Sequence, residues 1–166
     1  MATSKSFKNI ELNELNNLIR NIPLFKKYHV KVGIINNTSR EDGKTNAQVG
    51  NFAEKMEFGS RSENVPRRSF LIDPLKQWKS NDLEKYLQKS TGITKDLTIV
   101  EKGVKRVYNR LGSKAKDIIQ DAFYTGGFGN WKELSKSTIN KKGSDQILVD
   151  TGQLKDSIEY RVDRGI

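Results

Sequence analysis

Hydrophobic and polar positions along this chain follow two periods, and the switches between them mark its elements. Ile10, Leu15, Leu18, Ile19 and Ile22 fall on one helical stripe, which predicts a helix over roughly 7–22 ended by Pro23. "HVKVGII" (29–35) sets Val30, Val32 and Ile34 against His29, Lys31 and Gly33, the alternation of a half-buried strand. "NNTSREDGKTN" (36–46) is dense in turn formers and reads as a long flexible loop. Helical spacing returns through Val49, Phe52, Ala53 and Met56, with Gly59 as the C-terminal stop.

An extended stretch is predicted at Phe70 to Ile72, then a helix through Leu75 and Trp78 with Asp73 as its cap and Pro74 as its first residue. A second short helix is expected near Leu83 to Leu87. The strongest periodic signal spans about 95–124. Leu97, Val100, Val104, Val107, Tyr108, Leu111, Ala115, Ile118, Ile119 and Ala122 keep steps of three and four, which predicts one continuous amphipathic helix. Gly103 and Gly112 weaken it locally without shifting its phase. "YTGGFGN" then breaks the chain, and Asn130 with Glu133 has capping-box spacing for a short helix. "SKSTINKKGSDQ" reads as a polar connector, and "SIEYRV" alternates Ile158, Tyr160 and Val162 as a last strand. These elements predict an α+β fold in a single domain, 1–166. Its small, mostly antiparallel sheet is expected to carry the long helix packed across one face, with short helices around it.

Composition narrows the chemistry. There is no cysteine, so thiolate metal sites, disulfides and thiol redox catalysis are excluded. No apolar run approaches the roughly 18 residues of a membrane span. The polar start "MATSKSFKNIELNELNNLIR" lacks the apolar stretch of a signal peptide, so the chain reads as cytosolic when made. Thirty basic against twenty acidic side chains leave +10, but each half of the chain carries +5. Dedicated nucleic-acid binders concentrate such charge.

Candidate catalytic patterns fail one by one. Gly43-Lys44-Thr45 ends like a phosphate loop, yet Thr38 stands where the first glycine is required. "GGFG" (126–129) lacks the spacing of a dinucleotide fingerprint. His29 is the one histidine, on the polar phase of a strand start; a zinc site there would need carboxylates alone around it, no serine sits in a nucleophile elbow, and a solvent-facing structural role is expected. Glu54 and Glu57 lie three apart on a helix, where a solvated face is expected of them. Asp150-Thr151-Gly152 matches the aspartic-protease triplet, but the charged "QLKDSI" that follows cannot be the apolar flanking strand. Asp150 and Gln153 instead have capping-box spacing, so Asp150 or Thr151 is the expected cap of a short helix through Leu154. No catalytic residue, metal ligand or cofactor site is therefore predicted.

Two basic features remain. Lys102, Arg106, Arg110 and Lys114 recur every fourth position as a stripe on the long helix, with no acid between Lys102 and Lys116. They read as a solvated face, as a track for DNA phosphates, or as a contact with an acidic partner subunit. Arg67 and Arg68 beside Phe70 form an exposed-looking basic–aromatic cluster with the same alternatives.

Three segments in order resemble the N-terminal half of a family of bacteriophage morphogenesis proteins: "VKVGII", "AQVGNFAEKMEFGS" and "VPRRSFLID". "WKELSKSTINKKGSDQILVDTGQLKDSIEYRV" resembles the C-terminal block of that family, which includes minor tail protein Z-like, tail-completion and head–tail joining (neck) proteins. The matched positions are Val32-Gly33-Ile34, Glu57-Phe58-Gly59, Pro66-Arg67 with Phe70, Ser137-Thr138-Ile139, Lys142, and Leu148 through Ile158. Ser69 stands where the family usually has a second proline. The resemblance implies a structural, non-enzymatic virion protein at the head–tail junction, assembled in the host cytoplasm. It would form a closed ring, a hexamer, as a tail-completion or tail-terminator protein, with the tail tube protein and the head–tail connector as partners. Phage DNA would be an incidental contact of basic side chains, and no membrane is involved. Loop 36–46 would become ordered on assembly. The competing reading is a basic nucleic-acid-binding module built on the Lys102–Lys114 stripe.

Overall fold

A computed structural model of the protein describes residues 16, 19, 22–35, 46–89, 100–149 and 152–165, with 46–48, 87–89 and 100–102 as backbone only. The elements within them are β1 (Tyr28–Ile34), α1 (Asn46–Phe58), α2 (Ile72–Asn81), α3 (Leu83–Lys89), α4 (Val100–Tyr124), α5 (Lys136–Lys142), α6 (Gln153–Asp156) and β2 (Ile158–Arg164). The fold is α+β.

β1 and β2 pair antiparallel, with Val30 opposite Val162, Val32 opposite Tyr160 and Ile34 opposite Ile158. Because side chains alternate between faces, those pairs make one apolar face. His29 opposite Asp163 and Lys31 opposite Arg161 fall on the other. A two-stranded sheet is marginal without support on a face. Helix α4 supplies it by packing against both strands. Its 25 residues run about 37 Å at 1.5 Å per residue. The buried side chains Val104, Val107, Ala115, Ile118, Ile119 and Ala122 are those the periodicity selects. Gly112 is more than a weak point in this helix. A methyl there would lie 2.9 Å from Tyr160 Cγ and overlap the ring, so the glycine is the seat of the strand's aromatic side chain.

The main core joins Val49, Ala53 and Met56 of α1 to Phe70, Ile119, Ala122, Phe123, Trp131, Leu154 and Ile158. Helix α4 ends in a Schellman turn: Gly126 and Gly127 are left-handed (φ 59° and 68°), and Gly127 N–H donates to the Ala122 carbonyl at 2.7 Å. The turn folds the Trp131 indole back over Gly127.

Several expectations change. The helix 7–22 lies largely outside the described residues. Residues 22–25 are helical, so Pro23 lies inside a helical stretch. The segment is held further on, where Tyr108 Oη donates to the Phe25 carbonyl at 2.9 Å. Loop 36–46 lies outside the described residues except Asn46, which opens α1, and so does the 95–99 start of the long helix. Phe70 to Ile72 is not a strand; Ile72 already begins α2, two residues before Pro74. Asn130 caps nothing: its amide donates to the Gly127 carbonyl. The predicted connector contains α5, whose N-terminus is capped by Ser135 Oγ, accepting from Thr138 N–H at 3.2 Å, and whose C-terminus is left-handed Gly143. No α5 residue is buried, so local capping rather than an apolar stripe defines it. Helix α6 takes Gly152 (φ 79°) as its cap residue with no side-chain bond, while Asp150 and Thr151 lie outside the described residues.

Candidate interaction site

Glu57 stands one residue before the end of α1, on the face turned into the protein, and is only 4% exposed. Each carboxylate oxygen takes two donors. Oε1 accepts from the Ser69 hydroxyl, a very short contact, and from Ile72 N–H at 3.0 Å. Oε2 accepts from Phe70 N–H and Leu71 N–H, both at 2.9 Å. The Ser69 hydroxyl in turn accepts from Asp73 N–H at 2.9 Å. The orphan N–H groups at the start of α2 are thus satisfied by a residue from another helix, and a negative charge sits at the positive end of the helix dipole. This is why α2 starts at Ile72 rather than at an Asp73 cap. Glu54 is exposed, so the two glutamates share no site.

The turn joining α1 to this clamp is tight. Gly59 is left-handed (φ 77°), and a Cβ there would sit 3.0 Å from the Arg67 backbone nitrogen. Ser60 and Val65 bridge across the turn, and Arg68 N–H returns to the Met56 carbonyl at 2.7 Å. The far side is closed by Trp131, whose Nε1–H donates to the Ser69 carbonyl at 3.1 Å. Phe123 packs between Phe70 and Trp131, with centroids at 5.3 and 6.0 Å.

The Arg67–Arg68–Phe70 cluster is therefore not a continuous exposed surface. Phe70 is 2% exposed because it faces the α4 core. Arg67 is half exposed and forms a two-pronged ion pair with Asp73, at 2.7 and 2.8 Å. Hydrogen bonding to Asp73 raises the Arg67 pKa, and the same contact holds the Asp73 carboxyl below its ordinary range. Arg68 is 8% exposed, its Nε and Nη2 donating to the Lys132 carbonyl at 3.3 and 3.1 Å. Burial pushes this guanidinium below its ordinary pKa. Beside it opens a cleft of about 940 Å³ between the 58–68 turn and the 132–138 segment.

No protein-family model, curated protein or solved structure matches the chain. Among the described residues, no group of three or more His, Asp or Glu side chains is placed to hold a metal, and no helix is long and apolar enough to cross a membrane.

The basic stripe on α4 is not one straight row. Steps of four residues advance about 40° around a helix of 3.6 residues per turn. The row therefore does not keep one environment: Arg110 is exposed, whereas Arg106 and Lys114 are half-buried. Tyr86 of α3 reaches the Arg110 carbonyl at 3.4 Å, which marks the side α3 covers. The Lys102 side chain lies outside the described residues, as does the Gly43-Lys44-Thr45 turn. His29 is on the polar face, 3.8 Å from the Asp163 carboxylate.

Sequence reasoning missed Glu57 as the organiser of this region and Trp131 as its lid. Helical spacing alone assigns Glu57 to a solvated face, and its partners lie 12 to 15 residues away. One signal was present in Ser69, a short polar side chain between Arg68 and Phe70 that contributes both a donor and an acceptor to the clamp.

Proposed function

We propose that this chain is a structural protein of a long-tailed phage virion: a tail-completion, tail-terminator or neck protein that assembles as a closed ring at the head–tail junction. What supports the reading is the meeting of the signature segments in three dimensions. Val32, Gly33 and Ile34 lie in β1, paired with the β2 strand that begins at Ile158. Glu57 binds the segment that follows Pro66-Arg67, and Gly59 makes room for the Arg67 backbone. Leu154 and Ile158 enter the same core as Phe70.

On this reading the protein works through protein–protein contacts and performs no catalytic step of its own. Its partners are further copies of itself, the tail tube protein and the connector, with DNA as an incidental contact. Light scattering on the purified protein, alone and mixed with assembled tail tubes, tests it. A ring-sized mass, or retention on the tubes, is expected. A monomer in both samples, without retention, would remove the proposal.

A further inference from the structure

The two neighbouring arginines of the 58–68 turn are partnered the wrong way round for a purely structural pair. Arg67, half exposed, has a carboxylate on two prongs; Arg68, 8% exposed, has none among the described residues. Among the described residues, the Arg68 guanidinium donates only to the Lys132 carbonyl, through Nε and Nη2. Its Nη1 has no acceptor among them. A buried cation without an anion is unfavourable, and a bare carbonyl compensates it only in part.

The wall that contains Arg68 repeats the pattern. Arg61 and Lys132 line the same cleft, are exposed, and have no carboxylate partner among the described residues. Glu133 is the one acidic side chain in that wall. Phe58 lies at the same cleft, 61% exposed, with Pro66 and Leu134 near it.

We propose that this cleft docks an acidic peptide segment of a protein partner, with one carboxylate set on Arg68 between Arg61 and Lys132 and a neighbouring apolar side chain over Phe58. A planar carboxylate matches the guanidinium fork in two-pronged geometry. The volume of about 940 Å³ lies within the roughly 300–1,000 Å³ range of ligand sites. A phosphodiester backbone fits less well, because it follows a row of exposed cations. Here the deepest cation is recessed and the wall is partly apolar. The inference rests on the cleft alone and stands whether or not the protein forms a ring.

The test uses the full chain and three probes: a short capped peptide of alternating Glu and Leu, the same peptide with Gln for Glu, and single-stranded oligothymidylate. Binding is read by calorimetry and by amide shifts, expected over residues 58–68 and 132–135. The Glu peptide is expected to bind at least about tenfold more tightly than the Gln peptide. The surface variant Arg61→Glu/Lys132→Glu is expected to reduce that affinity by about tenfold or more, and Arg68→Lys similarly. If Arg68→Lys fails to fold, the surface double variant decides. Three results overturn the proposal: no binding of the Glu peptide, binding unaffected by Arg61→Glu/Lys132→Glu, or preferential binding of oligothymidylate at the same amides.

Discussion

Replacing Glu57 by alanine removes the acceptor of the Ser69 hydroxyl and of the Phe70, Leu71 and Ile72 N–H groups together. Hydrogen bonds to a charged group contribute about 1.5–3 kcal/mol each, and a buried donor left unmet costs about 1–3 kcal/mol. These terms are not additive, since the freed helix end can shift and admit water. The buried Ser69 and Phe70 set the lower bound, and we expect a loss of about 3–5 kcal/mol, as for other broken buried charge networks. That is a large share of the roughly 5–15 kcal/mol by which domains are stable. Glu57→Gln is the sharper variant. It keeps one oxygen, and so two of the four bonds, but turns an NH₂ group toward the other two donors. About 2–3 kcal/mol should be lost, by the same reckoning. Urea unfolding measures the difference, and hydrogen exchange shows where it arises: protection of the Phe70 to Asp73 amides should fall before that of α4. A Gln variant within about 0.5 kcal/mol of the parent, with those amides still protected, would refute the clamp.

The other variants probe packing and charge. Gly112→Ala should destabilise by about 1–3 kcal/mol through overlap with the Tyr160 ring, although the same change in an open helix stabilises by up to about 1 kcal/mol; a raised urea midpoint would contradict the ring's position. Trp131→Phe should cost about 1–2 kcal/mol by leaving the Ser69 carbonyl without its Nε1–H donor, measured by the same unfolding experiment. Asp73→Asn should remove part of the acid limb of the stability curve. The folded Asp73 carboxyl is held below its ordinary 3.8, so its contribution is present above that value and is lost as pH falls through the lower folded one. Because the Arg67–Asp73 pair is half exposed, the effect should stay within about 1 kcal/mol and shrink in salt, as pH-dependent urea midpoints would show.

The parts of this fold legible in sequence are those whose cause is local and periodic. Alternation fixes β1 and β2, and the buried face of α4 is the stripe of Val104, Val107, Ala115, Ile118, Ile119 and Ala122. Gly59 is recognisable as a stop because the left-handed residue after a helix is so often glycine. Helix α5 escaped because a seven-residue helix with no buried residue carries no stripe. The start of α2 escaped because its cap comes from Glu57, in a different helix. Arg68 looked exposed because a basic pair beside an aromatic carries no mark of the Lys132 carbonyl, 64 residues away, to which it is tied.

Assembly into the proposed ring can be seen in images of the purified protein. Negative-stain class averages, taken alone and with assembled tail tubes, are predicted to show closed rings of six copies, free or seated on tube ends. Single small particles in both samples, with bare tube ends, would contradict it.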